Sequence, residues 1–238
     1  MPRVPPPEAS AILKRNLESV RDRIASACRR VGRDPSEVTL VAVTKYVDSS
    51  VAQMLVDLGQ RDLAESRPQE LWKKAAEVTG DVCWHFVGHL QTNKVRRTLP
   101  LAAIIHSIDR WELAEEISKE AVRQKLNVRG LIEVKLTDEE SKYGFDSDEL
   151  RQRGADLHAL AGLKIDGLMG MAALDADESG CRSAFQSLKS LRDSLKTADH
   201  PLPILSMGMS DDFEIAVEEG ATHVRVGSAL FDGLIGDR

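Results

Sequence analysis

The sequence predicts an α/β fold, a single (β/α)8 TIM barrel with an extra N-terminal helix. Three observations carry that expectation. Eight short apolar runs alternate with amphipathic stretches along the 238 residues. The runs are apolar throughout, as in parallel strands covered on both faces. About ten residues follow the eighth run, too few for a full closing helix, so the helix ahead of the first strand is expected to fill that place. An open doubly wound sheet is the alternative. Against it, no G-x-G-x-x-G follows the first strand and no P-loop sequence is present.

The elements follow in order. Pro2, Pro5, Pro6 and Pro7 crowd the start, so residues 1–8 are expected to be a disordered tail and residues 9–238 the barrel domain. A helix is expected from Ala9 to about Val31. Ile12, Leu13, Leu17, Val20, Ile24 and Ala27 recur there at spacings of three and four, and Gly32 stops it. Strands are expected at 39–44, 62–65, 83–87, 103–107, 130–136, 165–171, 204–207 and 224–227. Helices are expected at 50–58, 68–78, 93–99, 111–124, 148–160, 178–195 and 212–218.

Composition narrows the function. The net charge is −6 and the isoelectric point about 5.6, which counts against general binding of nucleic acid or anionic membranes. Aromatics are 4%, too few for base-stacking platforms. No apolar run approaches the ~20 residues of a membrane span, and MPRVPPPEAS has no apolar signal region. Cys28, Cys83 and Cys181 lie far apart with no metal-ligand spacing. They read as reduced thiols of a cytoplasmic protein, with no metal expected.

In such a barrel the active face lies at the C-terminal ends of the strands. The first strand ends Val43-Thr44-Lys45-Tyr46. A lysine there is expected to be partly desolvated, which lowers its pKa and makes the amine nucleophilic toward carbonyls. The plainer reading is a lysine snorkelling to solvent. Strand seven runs into Ser206-Met207-Gly208-Met209-Ser210, and strand eight ends Arg225-Val226-Gly227-Ser228. Turns after strands seven and eight are the usual phosphate site of barrels, and small residues there let backbone N–H groups approach an anion. Gly208, Gly227, Ser206 and Ser228 suit that task; tight turning alone is the alternative for the glycines. A lysine for an imine beside a phosphate cup describes a pyridoxal 5′-phosphate (PLP) site.

LVAVTKYVD (40–48), HFVGHLQTNKV (85–95), HSIDR (106–110), EESKYGF (139–145), GLMGMAAL (167–174) and LSMGMSDDFEIAVEEGATHVRVGSALF (205–231) carry a resemblance. From about Ser10 to Phe231 the chain resembles the pyridoxal phosphate homeostasis proteins, the YggS/PROSC family. Its RVG segment is similar to the phosphate-binding end of the alanine racemase barrel, of fold-type III. The resemblance implies a covalent imine between PLP and Lys45. It implies phosphate held by Ser206 and the backbone around Gly227 and Ser228, with Met207 and Met209 in the cofactor-binding turn. It implies Arg225 near the pyridine ring, where a second cation keeps the ring nitrogen unprotonated and limits carbanion chemistry. An internal ion pair is the other reading of Arg225.

His85, His89 and Asn93 are expected to cluster at the end of strand three. One histidine as general acid or base stands beside a structural His85 facing the barrel and a rim role for Asn93. Ser107 either touches the ring or caps the next helix. The loop Glu139, Glu140, Ser141 and Lys142 is a surface turn by composition and lines the mouth by resemblance. Met169 and Met171 are core filler, cofactor lining, or both. Three departures touch the rim. Ser66 stands where the family has asparagine, Met171-Ala172-Ala173-Leu174 replaces a proline-containing segment, and Phe231-Asp232-Gly233 replaces Phe-Gly.

Three functions are weighed. The first is a protein that holds PLP as a lysine imine, takes part in intracellular PLP homeostasis and delivers it to apo PLP-dependent enzymes without robust turnover. It would be a monomer or weak dimer. The second is a PLP-dependent amino-acid racemase of low activity, which needs a proton carrier on each face of the ring. The chain's two tyrosines are Tyr46, expected to point away from Lys45, and Tyr143. The third is a cofactor-free Schiff-base aldolase at Lys45.

Overall fold

The computed structural model describes residues 6–136 and 143–234. Eight strands close into one barrel in sequence order. They are β1 (Thr39–Val43), β2 (Asp62–Glu65), β3 (Cys83–Phe86), β4 (Ile104–Ile108), β5 (Val128–Glu133), β6 (Leu163–Met169), β7 (Ile204–Ser206) and β8 (His223–Val226). All neighbours are parallel, and β8 returns to β1 with Thr39 opposite His223 and Val41 opposite Arg225. The helices are α1 (Pro6–Arg30), α2 (Ser49–Asp57), α3 (Pro68–Glu77), α4 (Thr92–Thr98), α5 (Trp111–Gln124), α6 (Ser147–His158), α7 (Glu178–Leu195), α8 (Phe213–Glu218) and the short α9 (Ser228–Phe231). Among the described residues no helix is long and apolar enough to cross a membrane.

α1 occupies the place of the missing last helix, against α2, α8 and α9. Its buried face carries the expected Leu13, Leu17, Val20 and Ile24. The Asn16 amide donates to the carbonyls of Leu230 (3.1 Å) and Asp232 (2.9 Å), and Arg23 grips Glu214 on α8. The expected tail is corrected at its end. Pro6, Pro7 and Glu8 belong to α1, because a first turn has no intrahelical use for the N–H that proline lacks. Two strands also begin earlier than expected. β5 starts at Val128 and β6 at Leu163, and the second residue of each, Arg129 and Lys164, is exposed. Those charges break the apolar runs from which the strands were read.

One face of each strand packs outward on the helices, with Leu40, Ala42, Leu63 and Ile105 in that main core. Inside the barrel, Ile104, Leu131, Met169 and Ile204 form one small apolar cluster with Met171 against it. Val41, Val43 and Ala64 form another with Val87. Polar side chains share this interior. His85, His106, Ser206 and Arg225 are all buried.

Candidate functional site

The mouth is built on turns that only small residues permit. Gly208 follows β7 with φ +91°, and a Cβ there would stand 2.5 Å from Ala216 Cβ and 2.9 Å from Phe213 Cα. The Arg225 N–H donates to the Gly208 carbonyl (3.0 Å), tying this turn to β8. After β8 the N–H groups of Gly227 and Ala229 converge on one oxygen, Ser210 Oγ, at 3.2 and 3.3 Å. A Cβ at Gly227 would lie 3.3 Å from the Val43 carbonyl oxygen, so this cup abuts the end of β1. Ser228 opens α9 and is exposed. Met207 packs outward in the main core, while Met209 is half-buried, its N–H on Asp212 Oδ1 (2.5 Å).

Lys45 comes two residues after Val43. Thr44 beneath it is clamped: its hydroxyl donates to Glu65 Oε1 (2.5 Å) and its carbonyl accepts from Lys74 Nζ (2.8 Å). Lys74 also pairs with Glu65, and both side chains are buried. Lys45 itself is exposed, which corrects the expectation of a partly desolvated amine; the chain turns outward at Lys45 and Tyr46 instead of continuing β1. Its Nζ lies 4.8 Å from the Tyr46 ring centroid, so Tyr46 does not point away from it.

Below the cup a chain of hydrogen bonds crosses the barrel. Arg225 donates to Ser206 Oγ (2.7 Å), and to the carbonyls of Ser206 and Gly170. Ser206 Oγ meets His106 Nδ1 at 2.8 Å. His106 Nε2 meets His85 Nδ1 at 2.8 Å, and His85 Nε2 meets Asp62 Oδ1 at 3.0 Å. Arginine only donates and carboxylate only accepts. With both imidazoles neutral, every proton in the chain then points from Arg225 toward Asp62. Burial holds His106 well below the usual imidazole range and pulls Arg225 down to about 10. Desolvation likewise lowers His223 to about 4, and burial with the Asp62 charge pushes Cys83 up to about 11. Glu133, buried near Asp109, is raised to about 7 by desolvation.

The expected residues therefore separate. Lys45, Gly227, Ser228 and Met209 sit around the mouth. Ser206 turns inward, its hydroxyl taken by Arg225 and His106. His85 bonds the side chains of His106 and Asp62 rather than backbone, low in the barrel. It does not cluster with His89, which pairs with Asp109 (2.8 Å) and stacks on Tyr143, or with Asn93, exposed on α4. Arg225 is held by a hydroxyl and two carbonyls rather than by an ion pair among the described residues. Ser107 caps no helix: its hydroxyl donates to the Gly88 carbonyl (2.5 Å), and the N-cap of α5 is Arg110. Ser66 is half-buried, its backbone so near Gly88 that a Cβ there would lie 2.0 Å from the Ser66 carbonyl oxygen. The loop Glu139, Glu140, Ser141 and Lys142 lies outside the described residues. Ser210, Lys74, Glu65, His106, Asp62 and Cys83 were not read from the sequence as site residues. Ser210 alone carried a signal, as the third small residue of Ser206-Met207-Gly208-Met209-Ser210.

Residues 15–234 match the family model described as alanine racemase, N-terminal domain. The chain is 39% identical over 217 residues to a pyridoxal phosphate homeostasis protein of Aquifex aeolicus, covering 90% of this chain and 95% of that one. It is 37% identical over 224 residues to the protein of that name from Escherichia coli, covering 91% and 94%. Among solved structures, PipY of Synechococcus elongatus with PLP bound superposes with a TM-score of 0.79 at 35% identity, over 89% of this chain and 99% of that one. A protein of unknown function from Bifidobacterium adolescentis gives 0.90 at 34% identity, over 96% and 98%. An alanine racemase of Clostridium difficile, 16% identical with a TM-score of 0.74 over 92% of this chain and 56% of that one, shares the fold.

Proposed function

This chain belongs to the alanine racemase N-terminal domain family and, within it, to the pyridoxal phosphate homeostasis proteins, and from that membership we propose that it binds PLP and serves in PLP homeostasis. The observation that carries the reading is the pair of N–H groups, of Gly227 and Ala229, aimed at one oxygen beside the end of β1. Two backbone donors converging on an oxygen form an anion cradle. Ser210 Oγ fills that point, and a phosphate oxygen fits the same point when the hydroxyl turns aside. Gly227 supplies the close approach, because a Cβ there would crowd the Val43 carbonyl. The residues present thus fit the group.

When bound, PLP supplies an aldehyde that a primary amine captures reversibly and a ring that stabilises a carbanion. In this reading Lys45 is the amine that makes the covalent link, and its exposure leaves the link open to water and exchange. Ser210, Ser228 and the backbone from Gly227 to Ala229 hold the phosphate. Ser206 holds Arg225 in place of the phosphate. Arg225 stays charged at neutral pH and only donates, so a ring nitrogen beside it can only accept and stays unprotonated, which disfavours carbanion chemistry. A site of that kind holds and returns its cofactor to apo-enzymes. A weak racemase is the second reading, favoured by the Tyr46 ring beside Lys45.

Borohydride reduction of the PLP-loaded protein followed by peptide mapping tests the assignment. The reduced adduct is expected on Lys45, and Lys45→Ala is expected to lose the visible absorbance. Label concentrated on another lysine overturns it. Exchange of an amino acid's α-proton by the loaded protein selects the racemase reading.

A further inference from the structure

The barrel's other end gathers a second constellation. Asp62 and Cys83 open β2 and β3 and are opposite each other in register, and His85 stands one pleat above Cys83. Residues two apart on a strand share a face, so three metal-ligating side chains meet at the floor. One ligand atom of each lies within 4.8 Å of the other two. His85 Nε2 is 3.0 Å from Asp62 Oδ1 and 3.5 Å from Cys83 Sγ. Around a tetrahedral zinc with Zn–N and Zn–O near 2.0–2.1 Å and Zn–S near 2.3 Å, ligand atoms stand roughly 3.2–3.6 Å apart. The separations of His85 from Asp62 and from Cys83 lie close to those edges.

We propose that Asp62, Cys83 and His85 form a zinc site at the floor of the barrel, with water or His223 in the fourth position. The donor set of one thiolate, one imidazole and one carboxylate suits zinc rather than magnesium or calcium. His223 lies close by, its ring centroid 6.1 Å from that of His85. Arg129, a nearby cation on β5, is drawn to Asp166 (2.5 Å), which it shares with Lys164. Asp62 and Cys83 are half-buried, so the cluster reaches solvent, and a groove of about 520 Å3 that includes Thr39, Gln60 and Arg61 in its lining ends at Asp62.

The outer partners are in place as well. A ligating histidine commonly donates its other ring N–H to a second residue, which fixes its orientation, and His85 Nδ1 already meets His106. On binding, the Cys83 thiol proton leaves to solvent and an S–Zn bond forms. His85 keeps one proton, moved from Nε2 to Nδ1 and donated to His106 Nε2; His106 in turn carries its single proton on Nδ1, donated to Ser206 Oγ, and the Ser206 hydroxyl hydrogen turns away from that ring. The site departs from the sequence expectation because Cys83 and His85 lie next to Asp62 through strand pairing, not through spacing along the chain. The proposal goes beyond PLP binding and is tested without PLP.

Cobalt(II) is the probe. Chelator-treated protein titrated with cobalt is expected to bind one ion per chain and to show a thiolate-to-cobalt charge-transfer band. Zinc added in competition is expected to abolish that band. Cys83→Ser is expected to remove it and Cys181→Ser to retain it, and Asp62→Asn is expected to weaken zinc binding at least tenfold by calorimetry. Should Cys83→Ser lose native circular dichroism, alkylation of Cys83 in the folded protein takes its place and is expected to remove the band likewise. No stoichiometric uptake, or a band that survives loss of the Cys83 thiol, overturns the site.

Discussion

Glu133 ends β5 among buried groups, close enough to Asp109 and Arg225 to feel both charges. Its carboxyl is raised from 4.5 to about 7, and the sign of the linkage follows. The unfolded chain loses this proton near 4.5 and the folded protein only near 7, so between them the native state binds more protons. Stability from this group is complete below pH 4.5 and falls as pH rises through 7, by about 3 kcal/mol. Glu133→Gln is expected to raise Tm at pH 8 by roughly 5 °C and to leave it nearly unchanged at pH 4.5, read by calorimetry. Lys74 makes the opposite case. It is buried against Glu65 and the Thr44 carbonyl, and Glu65 Oε2 has no hydrogen-bond partner among the described residues. Lys74→Met leaves a buried carboxylate uncompensated and is expected to cost about 3–5 kcal/mol in urea unfolding. Lys74→Met with Glu65→Gln is expected to recover much of that loss.

At the scale of elements, α1 is held by side chains as well as by its apolar stripe. Asn16→Ala removes both donors to the chain after β8 and is expected to cost about 2 kcal/mol in the same assay. The stripe was legible in the sequence because Leu13, Leu17, Val20 and Ile24 recur at helical spacing. The strands were legible because burial on both faces demands unbroken apolar runs. Arg129 and Lys164 hid two strand starts for the converse reason: a strand's first residues reach solvent and tolerate charge. Pro6 and Pro7 misled because proline forbids a helix interior but not its first turn. The cup was legible from small residues at two fixed places in the barrel order. Ser206 and Ser210 were not told apart, since only the turn at Gly208 decides which hydroxyl faces the cup.

For the whole molecule, barrel closure creates what no local pattern announces. The chain from Arg225 to Asp62 draws on β8, β7, β4, β3 and β2, and its members are adjacent only after the strands have closed in order. The seam between β7 and β8 is the thinnest in that closure: β7 has three residues, and its register with β8 is the single pair Ser206 and His223. Amide exchange at Thr222 and Arg225, whose N–H groups bridge to Leu205 and Gly208, is expected to slow when PLP is added, while exchange within the β5–β6 pair stays as it was. A phosphate seated across both turns would rivet the staves where the cask is most apt to leak. On the proposed reading, loading the cargo and tightening the vessel are one act, and an emptied protein loosens at that joint.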